Sequence, residues 1–130
     1  MPNTGDAFSV PLKKTHLGWG TYRKTNTRRR ISSEGYLPIP IKFARLFNIT
    51  NIHNKRQSNV YKFSTSDGFL KDEELKASGN RKKGDMYAKN LHGNGDLKLL
   101  GTWFNHLHLQ VGDVIKIEFV SPNEILLTKV

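Results

Sequence analysis

The stretch Gly101–Val130, GTWFNHLHLQVGDVIKIEFVSPNEILLTKV, states a β-hairpin more clearly than any other part of the chain. Val114, Ile115, Ile117 and Phe119 are spaced as a strand with one buried face. Pro122-Asn123 turns the chain, and Ile125 to Val130 supplies the return strand. Gly112-Asp113 makes the turn into the first strand. Trp103 to Leu109 reads as a short helix ahead of it.

The rest of the chain is punctuated in the same way. In DMYAKNLHGNGDLKLL, Met86–Tyr87–Ala88 reads as a strand, His92 to Asp96 as a glycine-rich turn, and the residues after it as another strand. From Leu70 to Gly84 the chain is charged and carries two glycines, so a long loop or a frayed helix is expected. In NVYKFSTSDG, Val60, Tyr61 and Phe63 alternate with polar residues and run into an Asp-Gly turn. In GYLPIPIKFARLFNI, Tyr36, Leu37 and Ile39 read as extended. Pro38 and Pro40 bar that stretch from the middle of a sheet. Pro40 suits the first turn of a helix. Phe43, Leu46 and Phe47 then form a helical apolar stripe, with an end near Asn48. Residues 1–12 are a loose lead-in or an edge strand. Five to seven strands, one or two short helices and hairpin-like connections describe a mainly β protein, a small and mostly antiparallel barrel.

A length of 130 residues suits one domain, taken here as 1–130. No apolar run approaches the ~18 residues that would span a bilayer, and the first dozen residues lack the pattern of a secretory signal. There is no cysteine, which excludes disulfides and thiolate metal sites. The formal net charge is +10. It is clustered: Ala7 to Ser33 holds seven Lys/Arg and no acid, and Lys76 to Lys98 holds six against two acids. Trp103 to the last residue holds two against three acids. Two cationic segments far apart in sequence favour a polyanion as partner.

Two stretches resemble the plant B-three domain and its bacterial relatives, the DNA-recognition domains of restriction endonucleases of the EcoRII and BfiI type. One is Gly35–Phe47, an extended-proline-helix segment. The other runs from Leu99 to Phe119, with Gly101, Trp103, Phe104, Leu107, Leu109, Gly112 and Asp113 at the signature positions. The resemblance covers roughly Tyr22 to Val130. It implies a seven-stranded open pseudobarrel that holds double-stranded DNA between two loop arms in the major groove. It also implies a nuclease domain in cis or in trans and a bacterial cytoplasmic setting.

By position the first arm falls on Lys24 to Ser33, preceded by Arg23, and the second on Tyr87 to Lys98. The first offers Arg23, Lys24, Arg28, Arg29 and Arg30 as phosphate-binding cations, with Thr25, Asn26, Thr27, Ser32 and Ser33 as polar partners. The second offers Lys89, Asn90, His92, Asn94, Asp96 and Lys98. Arg reads guanine O6/N7, Asn reads adenine N6/N7, and Asp accepts from cytosine N4. Asn94-Gly95 equally suits a hairpin turn.

Other chemistries have thinner support. Asp67 with Glu74 and Lys76 has the residue types of a metal-dependent nuclease at loose spacing. His106-x-His108 lacks further ligands around it. Trp103, Phe104, Phe43, Phe47, Tyr61 and Phe119 fit a core, whereas Trp19 and Tyr22 lie beside glycines and the basic run. Stacking by such aromatics would suit an RNA-binding or ribosome-associated barrel. A pocket at Trp19 or Trp103 would suit an extruded, modified base. The expectation is a DNA-binding module that is not itself an enzyme, with no cofactor, no metal, no membrane contact and no small-molecule substrate.

Overall fold

The computed structural model of the chain describes residues 1–17 and 34–130. Seven strands form one sheet that curls into a nearly closed barrel. They are β1 (Ala7–Pro11), β2 (Leu37–Pro38), β3 (Val60–Thr65), β4 (Glu73–Ser78), β5 (Asn90–Gly93), β6 (Val114–Ser121) and β7 (Glu124–Lys129). Their order across the sheet is β1-β6-β7-β3-β4-β5-β2. Three short helices accompany them among the described residues: α1 (Lys14–Leu17), α2 (Ile41–Leu46) and α3 (Leu99–His106). The mainly β, barrel-like class is the one the sequence announces, and α1 adds one turn where no helix was expected. No helix among the described residues is long and apolar enough to cross a membrane.

The core follows from alternation. In β6, Ile115, Ile117 and Phe119 point inward, and in β7 so do Ile125 and Leu127. Residues 7–11 take the edge-strand form: Phe8 and Val10 are buried and pair antiparallel with β6. Pro38 lies on β2, an end strand, where a missing N–H disturbs the ladder least. Helix α2 packs Phe43 and Phe47 on Phe8, with ring centroids 5.0 and 6.2 Å away. Helix α3 buries Leu100, Trp103 and Phe104, an i, i+3, i+4 face.

Several local expectations change. Residues 73–78, expected as loop or helix, form an interior strand, β4, paired with β3 and β5. Only Leu75 and Ala77 face inward there, and the charges around them hid the alternation. The strand expected at Met86–Ala88 is reduced to one antiparallel bridge, Tyr87 with Thr50, flanked by Asn51 N–H to Met86 O and Ala88 N–H to Ile49 O, and the full strand β5 comes later. After the glycine-rich turn comes α3, not a strand, and α3 starts four residues before the expected helix. Leu46 is 70 % exposed. In so short a helix the buried face centres on Phe43, Ala44 and Phe47, and Leu46 falls on the far side. The connections are not all hairpin-like either: β3 and β7 pair in parallel, with Phe63 opposite Ile125.

One core group is poorly served. The Tyr61 ring meets Phe119 edge-on at 5.5 Å, and its buried hydroxyl has no hydrogen-bond partner among the described residues. Burial pushes the phenol up from 10.0 to about 12. Between those values the unfolded chain ionises while the folded one keeps its proton, so stability falls as pH rises through that window. Tyr61→Phe removes this loss, roughly 2–3 kcal/mol. At neutral pH it adds ~1 kcal/mol by removing an unsatisfied donor. Urea melts of both proteins at pH 7 and above pH 10 check both effects.

Candidate nucleic-acid interface

The ends of the sheet, β1 and β2, do not pair with each other. They meet just beyond their strands, where Tyr36 N–H donates to His16 O at 3.1 Å. Along the remaining seam lies a cleft of about 780 Å³. One end strand contributes Val10 and Pro11, and the other side contributes Tyr36, Pro38 and Ile39. Ser78, Asn90 and His92 supply polar groups, and Lys13, Arg81 and Lys89 supply cations. His16 and Tyr36, which line the cleft, also stand just outside the two ends of segment 18–33. That segment, with Arg23, Lys24, Thr25, Asn26, Thr27, Arg28, Arg29, Arg30, Ser32, Ser33, Trp19 and Tyr22, lies outside the described residues.

The other expected arm divides. Lys89, Asn90 and His92 line the cleft. Asn94, Asp96 and Lys98 shape the turn between β5 and α3: Asn94 Nδ2 donates to Glu74 Oε1 at 3.1 Å, and Asp96 Oδ1 accepts from the Lys98 N–H at 3.0 Å. Gly93 is required at this turn, because a Cβ there would collide with Asp96 O and lie 2.8 Å from the Leu99 Cβ.

The polar side chains of the cleft owe their position to the ladder. Asn90 and His92 project from one face of β5, while Leu91 between them is buried. Ser78 and Lys76 stand opposite them on β4. Ser78 Oγ lies 2.9 Å from Asn90 Oδ1 and 2.8 Å from His92 Nε2, and His92 Nδ1 lies 3.0 Å from Gly93 O.

The connection between β4 and β5, residues 79–89, lies in the second cationic segment, but only Lys89 of it was offered as a site residue. Its base is pinned by two side chains. Asn51 is buried; its Nδ2 donates to Gly79 O at 3.0 Å and Asp85 O at 2.8 Å, and its Oδ1 accepts from His53 N–H at 2.9 Å. Arg81 donates to Ala88 O at 2.7 Å, to Tyr87 O at 3.4 Å and to Ile39 O. Burial lowers the Arg81 pKa, with Asp85 opposing and Arg45 adding to the fall. The tip is a turn closed by Asp85 N–H to Lys82 O at 3.0 Å, and it leaves Lys82 and Lys83 exposed. The signal was present in the sequence as Arg-Lys-Lys, but the strand before it was not legible.

The candidates for other chemistry have structural tasks. Asp67 Oδ1 accepts from Thr65 Oγ1 at 2.6 Å and Phe69 N–H at 3.0 Å, and Oδ2 accepts from Trp103 Nε1 at 2.9 Å. Burial works against the Asp67 charge, but these hydrogen bonds and His106 outweigh it and lower the pKa. Trp103 is buried and stands outside the cleft lining. His106 stacks on Phe69 at 3.9 Å. Among the described residues no three His, Cys, Asp or Glu side chains gather where they could hold a metal ion.

No family model matches the chain, and no curated protein matches it. The fold is similar to that of a solved structure, the hypothetical Arabidopsis thaliana protein At1g16640.1, with a TM-score of 0.50 and 12 % identity. The match covers 98 % of this chain and 92 % of that one.

Arg81 and its two lysine neighbours should separate in their effects. Arg81→Ala strands three carbonyls and should destabilise the fold by roughly 2–4 kcal/mol. Lys82→Ala and Lys83→Ala, exposed on the turn, should leave the melting temperature unchanged, and thermal melts of the three variants decide this.

His16 offers a second test. Its Nδ1 accepts from the Lys13 N–H at 3.0 Å. Burial, helped by Lys13, lowers its pKa from 6.5 to about 4. Below 6.5 the unfolded chain binds a proton that the folded ring refuses, so stability falls as pH drops toward 4. His16→Gln should flatten this acid limb by roughly 2 kcal/mol, a figure reduced for solvent screening at the cleft rim.

Proposed function

We propose that this chain is a double-stranded DNA recognition module with sequence preference, of the kind found in restriction endonucleases. Its task is to position a nuclease carried on the same chain or on a partner. The observation that supports this reading is a single cleft lined by Lys13, from the first cationic segment, and by Arg81 and Lys89, from the second. His16 and Tyr36, which flank residues 18–33 in the sequence, line it too. The likeness of the two stretches at Gly35–Phe47 and Leu99–Phe119 to the plant B-three domain and its bacterial relatives supports the same reading, as does a nearly closed seven-stranded sheet.

The division of tasks follows from chemistry. Lys13, Lys82, Lys83 and Lys89 are exposed, and such side chains neutralise phosphates. Arg28, Arg29 and Arg30, in a segment flanked in sequence by the cleft residues His16 and Tyr36, would add charge. Asn90, Ser78 and His92 supply the directional groups that reading a base edge requires. The cleft is far smaller than a duplex, so it receives one strand's edge while the cations track the backbone on either side.

The test is equilibrium binding of duplex DNA against salt. Lys13→Ala combined with Lys89→Ala should weaken binding for all sequences and reduce the salt slope by about 2. Arg28, Arg29 and Arg30 changed together to alanine should reduce it further. An unchanged slope in both variants, or preference for single-stranded RNA over duplex at fixed salt, would overturn the reading.

A further inference from the structure

The geometry points to a relay, Asn90–Ser78–His92, that sets which end of the Asn90 amide faces the cleft. It thereby sets which class of base-edge group the cleft accepts: an exocyclic amino group with the His92 ring neutral, an oxo group with it protonated. This rests on the cleft being the DNA site.

The argument is a count of hydrogens. Gly93 O only accepts, so the His92 Nδ1 3.0 Å from it carries a hydrogen in either charge state. The same carbonyl also accepts from the Asp96 N–H at 3.4 Å. In the neutral ring Nε2 has only a lone pair. Ser78 Oγ, 2.8 Å away, then donates its one hydrogen to Nε2. Ser78 must now accept from Asn90, so the amide presents its NH₂ to Ser78 and its oxygen to the cleft. An amide oxygen accepts from adenine N6 or cytosine N4.

In the protonated ring Nε2 donates to Ser78 Oγ instead. The serine hydrogen passes to Asn90 Oδ1 at 2.9 Å. The NH₂ is then presented to the cleft, where it donates to guanine O6 or thymine O4. The two ends of an amide are nearly the same shape, so both arrangements fit one set of heavy-atom positions. Ser78 has a single hydrogen, so the two do not mix.

The elements packed against β5 carry further charges. Strand β4 brings Lys76, opposite His92 in the ladder, and Glu74, whose carboxylate accepts from Asn94. The cleft brings Lys13, His16, Arg81 and Lys89. Asp96 and Lys98 occupy the turn after β5, and β2 brings none. Helix α3, which also packs against β5, brings His106 in its last turn.

Two measurements test the relay. In the free protein, NMR of the Asn90 side-chain amide and the His92 ring is followed over about pH 5 to 8, where imidazoles change charge. The two signals should move with one midpoint in the native protein and in Ser78→Thr, which keeps the hydroxyl. In Ser78→Ala the amide should no longer follow the ring. An Asn90 amide that ignores the ring in the native protein overturns the relay, whatever the protein binds.

The second measurement is selection from a random duplex library at both ends of that pH range. One position should change from amino-bearing to oxo-bearing bases by about tenfold, and Ser78→Ala should abolish the change. Duplex binding with the same preference at both pH values overturns the relay and leaves the DNA reading standing. No duplex binding at either pH overturns the DNA reading and with it this use of the relay.

Discussion

One backbone hydrogen bond, from Tyr36 N–H to His16 O, closes this barrel. The sheet has two ends, β1 and β2, and a curled sheet must pair, cover or charge such ends. Here they touch at one point beyond the strands. Gly35 makes that approach possible, since a Cβ there would lie 2.9 Å from the Phe104 ring and 3.0 Å from His16 O. Among the described residues the two ends pair at no other point along the seam, and the cleft lies there. The residues that make the contact also stand just outside the two ends of segment 18–33.

Residues of one type divide sharply in role around that cleft. Arg81 belongs to a run of three cations, yet it is spent on three backbone carbonyls, while Lys82 and Lys83 face water. Asn51 and Asn94 secure turns through their amides, whereas Asn90 lines the cleft. Asp67 joins the β3–β4 turn to α3 through the Trp103 indole. For Arg81 and Asn51 the deciding factor is whether nearby backbone groups lack partners. A buried carbonyl without a donor is costly enough to capture a side chain that charge alone would assign to a ligand.

That rule explains what was legible in the sequence. Local patterns were readable: the β6–β7 hairpin, β3 with its Asp-Gly turn, the edge strand β1, and the proline-rich entry to α2. Strand β4 was not, because two apolar residues among charges give too little alternation to see. The parallel pairing of β3 with β7 joins Phe63 to Ile125, and no local pattern carries a contact so distant in sequence. For the site, charge clustering marked two cationic segments; residues 18–33 of the first lie outside the described residues, and Lys89, Asn90 and His92 of the second line the cleft. Charge could not separate Arg81 from Lys82, nor the turn residues Asn94 and Asp96 from their cleft-lining neighbours. Those distinctions depend on which backbone groups the fold leaves open.

The net charge of +10 bears on why such a cleft is built at a seam. Like charges gathered on one face repel and weaken the compact state, and salt relieves this by screening. On the proposed reading, salt also weakens the complex by competing for phosphates. Folding stability and affinity should then respond to ionic strength in opposite directions. A cationic face carried on a regular ladder would strain the pairing that supports the core. At the seam no such pairing exists between β1 and β2. On the same reading the repulsion falls on side chains and connections, and a bound polyanion would relieve it.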